Sequence, residues 1–163
     1  MSSTNRVAVS RTVKADPAQV FRLVTDPEMH VRIDGSGMLE AAPGARRLEA
    51  VGDTFEMDMD RESLGDVPMG KYKVVNTVTK IVPDAVLEWN VGSKEHGAFG
   101  HVYGWEITPV GDNETEVTNY CDWSGIPEKM RDRVTFPVVP VSMLEKSVDN
   151  LAALVMEESG SAG

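Results

Sequence analysis

Apolar and polar residues alternate from Val7 to Lys14. Val7, Val9 and Val13 point one way with Arg11 among them, and Ala8, Ser10, Thr12 and Lys14 point the other. Successive side chains leave a pleated backbone on opposite sides, so this period of two predicts a half-buried strand. Helix signals follow at once. Asp16-Pro17-Ala18-Gln19 sets an acceptor at the cap, proline at the first helical position and Gln at the third, ahead of Val20, Phe21 and Val24. A second start, Asp26-Pro27-Glu28, opens a short helix through Ile33 that Gly35-Ser36-Gly37 stops. The proline between them prevents one continuous rod.

From Met38 to about Trp123 the signals are strands. Met38–Ala42 and Arg46–Ala50 flank the turn Pro43-Gly44, and Phe55, Met57 and Met59 alternate with Glu56, Asp58 and Asp60. A run from Tyr72 to Val82 comes next, with two candidate inner faces: Tyr72, Val74, Asn76 and Val78, or Val75, Thr77, Thr79 and Ile81. Leu87, Trp89 and Val91 follow the turn Pro83-Asp84. After the glycine-bearing loop 92–100 the alternating sets are His101, Tyr103, Trp105, Ile107 and then Val117, Asn119, Cys121, Trp123. Such short turns predict antiparallel neighbours, since parallel strands need crossover connections.

The chain ends helically. Beyond Pro137 and Pro140, the residues Leu144, Val148, Leu151 and Val155 recur at helical spacing. A helix from Val141 to Glu158 would extend about 27 Å, and seven strands would span about 29 Å. One helix can therefore cross the whole sheet. The expectation is an α+β helix-grip fold, a curved antiparallel seven-stranded sheet in the order β-α-α-β6-α wrapped on a long C-terminal helix.

Composition narrows the function classes. The chain has 163 residues, enough for one domain with a sizeable core, expected over 1–158 with a disordered tail at 159–163. Its formal charge is −10, and nearly all of the surplus lies late: residues 1–82 carry 11 basic and 12 acidic side chains, residues 83–163 carry 5 and 14. That field repels polyanions, so no nucleic acid and no membrane insertion are expected. The single cysteine, Cys121, permits no intrachain disulfide. The N-terminus lacks an apolar leader segment, which predicts a cytoplasmic protein; the expected assembly is a monomer or homodimer.

Two stretches carry a family resemblance. Arg11-Thr12-Val13-Lys14-Ala15-Asp16-Pro17-Ala18-Gln19-Val20-Phe21, continued by Asp26-Pro27-Glu28-Met29-His30 and Asp34-Gly35-Ser36-Gly37, resembles the opening of the START-like, SRPBCC or polyketide cyclase/dehydrase superfamily, in particular its small single-domain members. Val141-Ser142-Met143-Leu144-Glu145-Lys146-Ser147-Val148-Asp149-Asn150-Leu151 is similar to that group's C-terminal helix. The resemblance implies an internal cavity between sheet and helix. It names no reaction, because the superfamily holds lipid carriers, hormone receptors, cyclases and chaperone activators on one scaffold.

Strand parity gives independent reason to expect a hollow. It assigns the polar groups of His101, Tyr103, Asn119 and Arg11 to the apolar side of their strands. In a solid core each unpaired polar group would cost about 1–3 kcal/mol. Water or ligand inside would relieve that cost, as would pairing among the groups or a rim position. The expected ligand-binding set is His101, Tyr103, Trp105, Asn119, Trp123, Phe55, Met57, Met59, Trp89, Met143 and Arg11. Methionine is unbranched and adaptable, which suits a pocket tolerant of ligand shape, and it suits a plain core equally. Arg11 could meet a ligand carboxylate, pair with a buried acid or snorkel from a strand end. Gly104, outward between Tyr103 and Trp105, would let the sheet bend. The segment 130–143, with Met130, Val134, Phe136, Val138, Val139 and Met143, reads as a gate or as packing at the helix entrance.

No cofactor and no metal site are expected. His30 and Asp34 stand four apart on one helix face without a third ligand, and His96 lies in a loop without the context of a phosphate cradle. The leading reading is a protein that binds, or binds and transports, a hydrophobic or amphipathic small molecule. The second is a cyclase, aromatase or dehydratase, with His101 and Tyr103 as catalytic candidates for taking a proton beside a carbonyl and holding the enolate. The third is an interaction module similar to the chaperone-activating members, using the acidic second half.

Overall fold

The computed structural model describes residues 5–60, 71–95, 97–127 and 141–161. Its elements are β1 (Arg6–Val13), α1 (Pro17–Val24), α2 (Pro27–Ile33), β2 (Leu39–Ala41), β3 (Thr54–Asp60), β4 (Lys71–Val82), β5 (Val86–Ser93), β6 (Gly97–Gly111), β7 (Glu114–Asp122) and α3 (Val141–Ser161). The strands form one antiparallel sheet in the order β1-β7-β6-β5-β4-β3-β2, curled into a half-barrel around the C-terminal helix. This is the expected α+β helix-grip arrangement with seven strands. Strands β2 to β7 follow one another as chain neighbours, and β1 joins by crossing to pair with β7.

Local chemistry explains most boundaries. Both short helices begin with proline, whose fixed φ suits the first helical turn. Asp26 caps α2 by accepting from the Glu28 N–H at 3.1 Å, whereas Asp16 makes no side-chain cap and its carbonyl receives Gln19 N–H. The tight turns at Asp84 and Asn113 take positive φ values of 61° and 54°, which short polar side chains tolerate.

Three features depart from the sequence expectation. Residues 46–50 form no strand. Leu48 is instead buried and donates its N–H to the Thr25 carbonyl, and the Asp53 carboxylate accepts from Glu49 and Ala50 N–H at 2.8 and 2.9 Å. These groups therefore satisfy the loop backbone without a ladder. The second departure is in β4, where both candidate inner faces are used. Val74, Asn76 and Val78 face inward, a bulge falls between Val78 and Lys80, and Ile81 then joins Leu87 on the inner side. One extra residue reverses the parity of everything after it. Third, α3 runs to Ser161, past the Glu158 expected.

Gly104 does face outward, for a reason parity does not supply. The Tyr120 ring lies flat over it, occupying the place of a Cβ. The Tyr120 hydroxyl donates to Glu88 at 2.8 Å, and the Arg6 guanidinium sits 4.1 Å above the ring. Gly35 has a comparable role at the helix, with the Lys146 Cβ and Ser147 N 2.8 and 2.9 Å from where its own Cβ would stand. Its N–H donates to the Ser147 hydroxyl at 2.8 Å, so the turn after α2 docks directly on α3.

Candidate functional site

The register determines which inward side chains are neighbours. Across the sheet, Phe55 stands opposite Asn76 and Asn76 opposite Val91. Val78, Trp89, Tyr103, Cys121 and Val7 form the next row, and Leu87, Trp105, Asn119 and Val9 the one after. Burial changes along these rows. At the end nearest α1, Val13, Leu87, Trp105, Ile107 and Val117 are buried in one core with Val20, Val24, Leu151 and Val155. Towards the other end Met59, Tyr72, Val91 and Tyr103 keep inward parity yet are only half-buried. The interior is dense at one end and less completely covered at the other.

An aromatic series crosses from the middle of the sheet into that second end. His30 on α2 lies edge-on to Phe55 with ring centroids 5.3 Å apart and tilted against Trp89 at 4.8 Å. Trp89 stacks with Tyr103 at 6.3 Å, Tyr103 meets His101 edge-on at 5.7 Å, and His101 stacks with Phe99 at 6.3 Å. Six rings from α2, β3, β5 and β6 thus form one continuous aromatic series with polar edges.

The polar groups differ in state. His30 places Nε2 2.6 Å from the Val24 carbonyl, so Nε2 carries a proton. Burial lowers its pKa, against the opposing pull of that carbonyl and of Asp26 and Asp34. Burial raises the Tyr103 phenol well above its ordinary value, helped by its hydrogen bond with Cys121 and by the nearby Asp34 charge. Burial likewise pushes the Cys121 thiol up to about 12. Near neutral pH the phenol is a hydrogen-bond donor and the thiol is not a nucleophile. Asn119 donates to the Gly104 carbonyl at 2.9 Å and so belongs to the sheet's own bonding. Asn76 differs: its buried Oδ1 has no hydrogen-bond partner among the described residues.

The structure brings Phe55, Trp89, His101 and Tyr103 together, with Met57 fully buried beneath them and Met59 half-buried at the margin. Trp123 packs in a small neighbouring cluster with Cys121 and Ile126. Trp105 lies with the dense core, and Met143 is half-buried at the start of α3. Arg11 has inward parity but sits on an edge strand, half-exposed, with NH1 2.6 Å from Asp149 on α3. His96, Met130, Val134, Phe136, Val138 and Val139 lie outside the described residues. Sequence reasoning missed His30 as a ring of the lining, Asp34 as its nearby charge and Asn76 as an inward polar group. Asn76 was visible as one of two alternatives in β4. Nothing in the local sequence signals that α2 folds His30 onto Trp89.

Among the described residues no three His, Cys, Asp or Glu side chains gather as a metal would require, and no helix is long and apolar enough to cross a membrane. A separate surface groove of about 430 Å³ runs between α1, the 47–49 loop and the end of β4, lined by Phe21, Arg22, Thr25, Arg47, Leu48 and Ile81 among others. None of the expected ligand-binding residues lines it.

Comparison with known proteins agrees with the fold. A family model described as polyketide cyclase/dehydrase and lipid transport matches residues 4–156. An uncharacterized protein of Mycobacterium tuberculosis is 30% identical over 118 residues, covering 72% of this chain and 47% of that protein. The chain thus spans about half the length of the curated relatives it matches. Among solved structures, a protein of Nitrosomonas europaea superposes with TM-score 0.66 at 15% identity, covering 98% of this chain and 99% of the other. A truncated norcoclaurine synthase from Thalictrum flavum gives 0.61 at 15%, covering 95% of each chain. At such identities these likenesses concern the fold alone.

Proposed function

We propose a ligand-holding role for this chain, which belongs to the polyketide cyclase/dehydrase and lipid transport family. It binds a hydrophobic or amphipathic small molecule between the sheet and α3, at the end where Met59, Tyr72, Val91 and Tyr103 face inward without being fully covered. That gradient of burial along one inner face carries the reading. A solid core has no reason to leave large inward side chains half-buried while their strand neighbours Met57, Val74 and Trp105 are sealed. The ring series from Phe55 to Phe99 supplies the apolar contact, and the Tyr103 hydroxyl, shared with Cys121, a polar one.

Native mass spectrometry and tryptophan fluorescence with a panel of aromatic and long-chain alcohols test this. One molecule bound per chain, weakened at least about tenfold by Tyr103→Leu, would agree with a lining of this kind. Failure of every panel member to bind would overturn it.

A cyclase or dehydratase reading is favoured by one observation, the phenol of Tyr103 held protonated beside the His101 ring. Such a donor can hold a developing enolate oxygen. Turnover of a poly-carbonyl substrate that is unchanged in a His101→Ala, Tyr103→Phe double variant would exclude it.

A further inference from the structure

The described residues of this lining include a carboxylate beside the rings and an unsatisfied acceptor, and both bear on what it accepts. We propose that the interior selects uncharged ligands carrying a hydrogen-bond donor and rejects their carboxylate analogues, with Asn76 as the polar anchor and Asp34 as the excluding charge. This rests on the ligand-holding reading above and deepens it.

Three observations support the proposal. First, among the described strand residues Arg11 is the one cation with inward parity, and it is bound to Asp149 at the sheet's edge. Arg6, Lys71 and Lys73 belong to the outer face, paired with Glu106, Glu40 and the Glu56–Asp58 pair respectively. Second, a carboxylate stands beside the ring series: Asp34 ends α2 one turn after His30 and donates its N–H to the His30 carbonyl at 2.8 Å. It is fixed after α2 by the Ser36 hydroxyl at 2.8 Å and the Ser36 N–H at 3.1 Å, close enough for its charge to act on both His30 and Tyr103. An anionic ligand against the ring series would meet this charge with no inward strand cation among the described residues in compensation, in surroundings that screen charge poorly. Third, Asn76 lies on the inner face between Phe55 and Val91, 5% exposed, with Oδ1 lacking a donor. A buried acceptor left open in this way is costly, and a ligand hydroxyl or N–H entering between those neighbours would satisfy it.

Equilibrium dialysis at neutral pH with three probes of one ring system tests the selection: 2-naphthol, uncharged with a donor; 2-naphthoate, ionised; and naphthalene, uncharged without a donor. The expected order is naphthol tighter than naphthalene by roughly fivefold, the scale of one hydrogen bond, and naphthoate weakest. Asn76→Leu should bring naphthol down to the naphthalene level and leave naphthalene unchanged. Asp34→Asn should strengthen naphthoate alone. Naphthoate binding as tightly as naphthol, or naphthalene matching naphthol in the wild-type chain, overturns the selection while leaving the ligand-holding reading intact. No binding by any of the three overturns both. The wild-type comparison decides even if Asn76→Leu fails to fold.

Discussion

The two ends of the sheet's inner face are built from the same alternating strands and have opposite contents. Near α1, Val13, Ile107 and Val117 meet Val20, Val24, Leu151 and Val155 in a packed apolar core. Towards the other end the same strands present Tyr72, Val91 and Tyr103, whose burial is incomplete, and Asn76, whose Oδ1 has no partner among the described residues. A strand that packs at one end and presents polar groups at the other spends stability locally, and the dense end must supply it. Stability and ligand binding should therefore separate by position along a single strand.

The largest expected effect is at the dense end. Leu151→Ala empties a fully buried site facing the sheet and should cost about 2–5 kcal/mol in urea unfolding, with the ranking of ligands unchanged. Gly104→Val comes next. Its side chain would displace the Tyr120 ring from the outer face, at about 1–3 kcal/mol of strain and repacking, again without altering ligand preference.

His30 makes the boundary between the ends sensitive to pH. Burial holds its folded pKa below the unfolded value of 6.5, so the unfolded chain takes up the proton first. The stability from keeping it neutral is complete above 6.5 and is lost as pH falls from there through the lowered folded value. Unfolding midpoints should drop across that window, and the drop should shrink in His30→Gln. An unchanged slope in the variant would assign the pH dependence elsewhere.

At the open end the ordering reverses. Tyr103→Phe removes a hydroxyl bonded to Cys121 but keeps the ring, so thermal stability should move by no more than about 1 kcal/mol while naphthol binding weakens less than it does in Asn76→Leu. The smallest effect is expected at Arg11→Ala. Its pair with Asp149 is half-exposed on both sides, the kind of bridge worth about 0–1 kcal/mol, and ligand affinity should be unaffected. Loss of affinity there would place Arg11 in the site after all.

Most of the fold was legible because alternation is a backbone property. Val7 to Val13, Phe55 to Met59 and His101 to Ile107 read directly as faces, and the helix starts at Pro17 and Pro27 are set by local chemistry. Residues 46–50 misled because a short apolar and polar mixture resembles an edge strand, while the tertiary partners of Leu48 and the Asp53 carboxylate determine its conformation. The bulge after Val78 has no sequence signature strong enough to predict, so Asn76 stayed ambiguous. The site was half legible. Its strand members follow parity, whereas His30 and Asp34 reach it through the packing of α2, a long-range contact that no local spacing encodes.

The three tryptophans offer the most direct test, since Trp89 belongs to the ring series and Trp105 to the dense core. Titrating 2-naphthol into nitrogen-15-labelled protein and following the three indole N–H signals reads both ends at once. The Trp89 signal should shift with saturation while the Trp105 signal stays in place. A shift at Trp105 with Trp89 unmoved would contradict binding at the ring series, as would the absence of any saturable shift.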